Sequence, residues 1–115
     1  MTIGKLKEIL DAQVFCGEDM MGREIQAAAA SDMMSEVLAY VKDQSVLLTG
    51  LLNPQAIRTA EMMDMHCIVF VRNKIPTGAM LELAAERSMC LLSTKFTMFT
   101  ACGLLFQNGI KGGEV

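Results

Sequence analysis

The run Cys67-Ile68-Val69-Phe70-Val71 is apolar throughout and rich in β-branched and aromatic residues. Five such residues with no polar alternation make a strand covered on both faces, the kind found in parallel sheets. On its N-terminal side, Asn53-Pro54 is a helix start, with asparagine as the cap and proline at the first helical position. That helix is predicted to run to about Asp64, with Ala56, Ile57, Ala60 and Met63 inward. Ahead of it, Ser45-Val46-Leu47-Leu48-Thr49 reads as a second buried strand ending at Gly50. On the C-terminal side, Arg72-Asn73-Lys74-Ile75-Pro76 reads as a polar loop, and Thr77 caps a helix carrying Met80, Leu83 and Ala84. Met89 to Leu92 is a further strand.

The same alternation extends outward. Ser31-Asp32 opens a helix in which Met33, Met34, Val37, Leu38 and Val41 recur at helical spacing, with Ser31 or Asp32 as cap acceptor and Lys42-Asp43-Gln44 closing it. Arg23 to Ala30 reads as a strand, although its four consecutive alanines favour helix. Ile3 to Asp11 is a short helix with Leu6, Ile9 and Leu10 on one face; Gln13 to Cys16 is extended, and Gly17-Glu18-Asp19 turns the chain. Ser93-Thr94 leads into a last helix ending at Asn108-Gly109. In it Phe96, Phe99, Gly103 and Phe106 line one face, while Met98, Ala101, Cys102 and Leu105 cover much of the rest, which suits deep burial or an oligomer contact. Strands alternating with amphipathic helices call for an α/β class fold, a three-layer α/β/α sandwich with a mostly parallel sheet of four to five short strands. One domain over 1–110 and a frayed tail over 111–115 are expected. Strand order stays open, because the first short strand could pair on either edge.

Composition narrows the function classes. The 115 residues are 52% hydrophobic and 20% charged, enough apolar material for a single core. Ten basic against thirteen acidic residues give a net charge of -3, opposite to the basic footprint of a nucleic-acid binder. The apolar runs Cys67 to Val71 and Ala101 to Phe106 fall far short of the roughly 20 residues of a membrane helix. No apolar segment follows Lys5 and Lys7 in the manner of a secretion signal. The expectation is a cytoplasmic domain with no nucleic-acid or membrane partner.

Cys16, Cys67, Cys90 and Cys102 show no C-x-x-C or C-x-x-H spacing, so they read as reduced thiols packed as small hydrophobes. Met62-Met63-Asp64-Met65-His66-Cys67 gathers ligand types that suit a soft metal. It spans a helix end and a strand start, however, so its side chains are expected to diverge. His66 is the sole histidine, which removes most acid–base and Ser-His or Cys-His schemes. Eleven methionines suit an adaptable core or a self-association surface. No phosphate-binding glycine loop, carboxylate pair or metal cage is recognisable, so no catalytic residue, metal ligand or cofactor is assigned.

In an open parallel sheet, ligands bind beyond the carboxyl ends of the strands. The junctions at that edge contribute Ser31, Asp32, Thr49, Asn53, Arg72, Ser93 and Thr94. Hydroxyls, an amide, helix N-termini and cations together suit a small anionic ligand such as a nucleotide. Helix capping alone accounts for the same residue types, and is the simpler account. These seven residues are the candidate ligand-binding set.

Lys5-Leu6-Lys7-Glu8-Ile9-Leu10, Val14-Phe15-Cys16-Gly17 and Gly22-Arg23-Glu24-Ile25 are similar to the start of a DRTGG domain. Ala29-Ala30-Ser31-Asp32-Met33-Met34-Ser35-Glu36-Val37 resembles that family's small-x-Asp-Leu-Leu-Ser-x-Val stretch, with methionines for leucines. Leu47-Leu48-Thr49-Gly50, Asn53-Pro54, Ile68-Val69-Phe70-Val71 and Leu91-Leu92-Ser93-Thr94 continue the resemblance to about Gly109. One departure is Gln26-Ala27-Ala28 where the name-giving glycine segment is expected, since no Thr-Gly-Gly occurs.

The resemblance implies an α/β/α fold like the N-terminal domain of HPr kinase/phosphorylase. It further implies an accessory, regulatory or self-associating module rather than a catalytic part. Joined to the apolar last helix and the strand-end residues, this gives the expectation of a non-catalytic regulatory or interaction module, self-associating as a homodimer and sensing a small anionic metabolite or nucleotide. DRTGG domains occur in phosphotransacetylases and between CBS domains of regulated pyrophosphatases, so a CBS-type partner protein is one implication. Stand-alone relatives near hydrogenase-like genes suggest the alternative, a redox accessory protein linked to hydrogenase-like iron–sulfur enzymes. A small enzyme acting on a phosphorylated metabolite is a third reading, disfavoured by the single histidine and the absent phosphate loop.

Overall fold

The computed structural model describes residues 1–40 and 46–112, Tyr40 by its backbone only. Along the chain run α1 (Ile3–Ile9), β1 (Gln13–Cys16), a single 3-10 turn (Glu18–Met20), β2 (Ala28–Ala30), α2 (Met34–Tyr40) and β3 (Val46–Thr49). They are followed by α3 (Pro54–Met62), β4 (Cys67–Phe70), α4 (Gly78–Glu86), β5 (Cys90–Ser93) and α5 (Met98–Gln107). The expected closing residues Lys42-Asp43-Gln44, with Val41 and Ser45, lie outside the described residues.

The five strands form one sheet in the order β1-β5-β4-β3-β2. β2 to β5 are parallel neighbours in chain order, and β1 joins the β5 edge antiparallel, with an irregularity between Val14 and Cys16. This settles the edge that the sequence left open. The sandwich is built by strict alternation of side chains. Val46, Leu48, Cys67, Val69, Cys90 and Leu92 pack beneath α1 and α5 with Leu6, Leu10, Ala101 and Leu105. Leu47, Ile68, Phe70 and Leu91 face the opposite way, onto Val37 of α2, Ile57 of α3 and Met80 of α4. β3, β4 and β5 are thus buried on both sides, which is why they read as unbroken apolar runs.

Several boundaries differ from expectation. The strand expected over Arg23 to Ala30 shrinks to three alanines; Glu24 and Ala27 make only isolated bridges, to Thr2 and Lys111. Small, featureless side chains there give the sheet little to bury. α2 begins at Met34, later than expected, and Met33 and Leu38 are exposed where the periodicity placed them inward. Met63, expected inward on α3, follows the helix end and is half-buried. α5 starts only at Met98 because Thr97 caps it, its hydroxyl accepting from Thr100 N at 3.4 Å. On α5, Ala101 and Leu105 are buried while Phe99 and Phe106 are 89% and 63% exposed, so this helix is two-faced.

Gly17 adopts a left-handed φ of +84°, and a Cβ there would lie 2.8 Å from the Cys90 Cα and 3.1 Å from the Met89 carbonyl oxygen. Both neighbours are backbone, at the start of β5 and just before it, and cannot retreat. Gly17→Ala is expected to lose about 1–2 kcal/mol from the left-handed conformation alone, and further stability from the clash, read as a lowered midpoint in urea denaturation.

Candidate ligand edge at the strand carboxyl ends

Parallel strands direct the ends of β2, β3, β4 and β5 to one edge, and the chain leaves each through a polar junction. After β2, the Ser31 amide continues the ladder to the Leu48 carbonyl at 3.1 Å. The Ser31 hydroxyl then accepts from Met33 N at 3.0 Å, closing a local turn rather than capping a helix. Asp32 does not cap a helix either. Its Oδ1 accepts from the Gly50 amide at 2.5 Å and from the Thr49 hydroxyl at 3.4 Å, while Oδ2 lies 3.8 Å from the Arg72 guanidinium. The expected capping role of this pair is therefore corrected: α2 starts too late for it, and the carboxylate is drawn across to the end of β3.

Gly50 is what allows this approach. A Cβ at that position would collide with the Arg72 guanidinium and sit 3.1 Å from Asp32 Oδ1. Thr49 is buried and its hydroxyl also accepts from Leu51 N at 3.1 Å, so the β3–α3 connection is pinned from both sides. Arg72 arrives through an unusual backbone: it and Asn73 both have a φ of +58°. Their amides donate to the Phe96 and Thr94 carbonyls, each at 2.8 Å, which holds the conformation. The Arg72 and Asp32 side chains remain about half exposed, at 51% and 54%, so water and solutes reach the pair.

The other candidates serve the fold. Asn53 caps α3, accepting from Gln55 N at 2.8 Å as the sequence predicts. Ser93 is buried and donates to the Lys74 carbonyl at 2.6 Å. Thr94 is buried as well and donates to the Leu10 carbonyl at 2.7 Å, tying the end of β5 to the end of α1. Of the seven residues, Asp32, Thr49 and Arg72 converge, Ser31 stands beside them, and Asn53, Ser93 and Thr94 are occupied elsewhere. A larger cleft of about 750 Å³ opens away from these three, lined by Lys7, Glu8, Asp11, Gln13 and Glu18 along β1. Sequence reasoning did not foresee the Asp32–Arg72 pair, which reaches across the end of β3 from β2 and β4; its only advance signal was two opposite charges at strand ends on one edge.

Among the described residues no group of three or more His, Cys, Asp and Glu side chains could hold a metal ion. In the methionine-rich stretch Met62 is exposed and Met65 buried, so the side chains diverge. His66 Nε2 lies 2.9 Å from Asp64 Oδ1, and its Nδ1 is buried without a hydrogen-bond partner. All four cysteines are free thiols. No described helix is long and apolar enough to cross a membrane.

No protein-family model matches the chain, and no curated protein does. Its structure is similar to that of the CBS and DRTGG domains of the regulatory region of a Clostridium perfringens pyrophosphatase, solved with the activator diadenosine tetraphosphate. The TM-score is 0.72 at 14% sequence identity, over 97% of this chain and 48% of that one. The likeness supports a DRTGG-like fold, and this chain spans about half the length of the protein it matches.

The Asp32 carboxylate is the acceptor for a buried backbone amide. Asp32→Ala is expected to lose about 1–3 kcal/mol by leaving the Gly50 N–H unsatisfied. Asp32→Asn, which keeps an oxygen in place, should lose much less. Chemical denaturation of the two variants side by side checks this.

Proposed function

We propose that the chain is a non-catalytic regulatory module that senses a small anionic metabolite or nucleotide at the strand-end edge around Arg72. The observation that carries this reading is the convergence of the Asp32 carboxylate, the Thr49 hydroxyl, the Gly50 amide and the half-exposed Arg72 guanidinium. A guanidinium beside a backbone N–H is an arrangement that receives phosphate or carboxylate oxygens. In the free protein the Asp32 carboxylate fills the role of that anion. A bound phosphate group engages Arg72 and competes with Asp32 for the Gly50 amide, so occupancy loosens the β2–α2 junction from β3. Binding is thereby converted into a local rearrangement of the chain.

Two further observations favour a regulatory role over an enzymatic one. The sole histidine, His66, precedes β4, whereas Arg72 follows it, so the acid–base group and the anion-binding group sit at opposite ends of one strand. The structurally similar pyrophosphatase segment is a regulatory region, and its bound activator is a dinucleotide. Titration calorimetry with ATP, AMP, acetyl phosphate and diadenosine tetraphosphate tests the reading. At one hundred times its Kd a true ligand adds about 2.7 kcal/mol to stability. Arg72→Ala is expected to weaken binding at least tenfold while leaving the fold intact. No heat and no stabilisation with any of the four would refute the sensing role.

The module acts as a homodimer through α5, whose Phe99 and Phe106 side chains are too exposed for a lone domain to leave uncovered at no cost. Sedimentation at micromolar concentration is expected to give a dimer, and Phe99→Glu/Phe106→Glu a monomer of unchanged circular dichroism. A wild-type monomer would exclude the α5 interface.

A further inference from the structure

β4 and β5 each open on a cysteine, and their parallel register sets Cys67 directly opposite Cys90. Register partners share a face, and both residues belong to the core beneath α1 and α5, 1% and 0% exposed. Adjacent strands stand about 4.8 Å apart, within the Cα separations of about 4.4–6.8 Å that a disulfide spans. The backbone fixes that spacing: the Cys90 amide donates to the His66 carbonyl at 2.7 Å, and Gly17 rests against the Cys90 Cα. Closing a bond between the sulfurs requires side-chain rotation and little movement of the main chain.

The two thiols are already unlike. The neighbouring Cys90 side chain, with burial, raises the Cys67 thiol well above its ordinary range. The Cys67 side chain in turn lowers Cys90 despite its own burial. Cys16 and Cys102 have no such arrangement. Cys16 packs with the core on the opposite face of the sheet, Cys102 lies beside β2, and burial raises both.

Met20 and Met21, in and after the 3-10 turn, pack on the same core. A cleft of about 360 Å³, lined in part by Cys16, Gly17, Asp19, Met20, Arg23 and Met89, opens beside the residue that precedes Cys90.

We propose that Cys67 and Cys90 form a redox site in which a hydroperoxide converts the two thiols into an inter-strand disulfide joining β4 to β5. The Cys90 thiolate attacks the terminal peroxide oxygen, breaking the O–O bond to give Cys90 sulfenic acid and an alkoxide or hydroxide. That leaving group takes up the proton lost from Cys90. The Cys67 sulfur then displaces water from the sulfenic acid, forming the S–S bond. In sum, two thiols are oxidised and one peroxide is reduced to an alcohol, or water, and a further water. The site is independent of the anion edge, since it lies at the opposite ends of the same strands.

The test uses the full chain as Cys16→Ser/Cys102→Ser, which keeps only the two buried thiols and alters positions that are not fully buried. The folded protein is exposed to a slight excess of hydrogen peroxide, quenched, denatured, alkylated and digested with trypsin. The expected product is the peptide 59–72 joined to the peptide 88–95, lighter than their sum by about 2 Da and separated again by dithiothreitol. Mixing isotopically light and heavy protein before oxidation identifies the link as intramolecular. Both cysteines recovered as alkylated thiols, an unlinked sulfinic acid, or a link only between two chains would each overturn the proposal. In the Cys16→Ser/Cys102→Ser chain, a further Cys67→Ser is expected to abolish the link and leave Cys90 trapped by a sulfenic-acid probe.

Discussion

β3, β4 and β5 leave almost nothing of either face to solvent, and most other features of the molecule answer that constraint. A strand apolar on both sides is stable only if both sides are covered. The connecting helices α2, α3 and α4 cover one face, and the two helices outside the parallel run, α1 before β1 and α5 after β5, cover the other. Since the strands are parallel, each connection must return the full length of the sheet, and every return begins from the same edge. The layered architecture and the gathering of polar junctions at one edge therefore share a cause.

At that edge, saturation of the backbone and readiness for a ligand compete for the same groups. Ser93 and Thr94 are committed, each donating inward to a main-chain carbonyl. Asn53 is committed to the first turn of α3. Asp32 differs, because its bond to Gly50 crosses between two connections and ends beside a cation that water can reach. An interaction of that kind stabilises the resting molecule and is exchangeable, whereas the buried hydroxyl bonds are not.

The bodies of the central strands were legible in the residues because double burial erases polar alternation, and Leu47, Ile68, Val69 and Leu91 announce it. The caps of α3 and α4 were legible because Asn53 and Thr77 act within their own first turn. The alanine segment misled on length, since four methyl side chains carry no information about where pairing stops. Asp32 misled more instructively. Its partner lies eighteen residues away, and an aspartate ahead of a helical pattern looks the same whether it bonds its own helix or a neighbouring loop. The side of the sheet taken by β1 was unreadable for a similar reason: Val14 and Cys16 suit either edge, and the close approach of Gly17 to Cys90 that accompanies the β5 pairing is a contact between distant residues.

The outer margin of the sheet at β2 carries one more consequence. Ala28 offers its amide outward, and the Lys111 carbonyl takes it at 2.9 Å, so the end of the described chain lies alongside the last strand. An open strand margin of small apolar residues is a template on which foreign chains add, the first step of fibril growth. By laying a lysine-bearing segment of its own along that margin, the protein occupies part of the template and places a positive charge beside it. Resistance to aggregation is thus supplied by the chain's own distal segment, at the margin where the sheet is least protected by side chains.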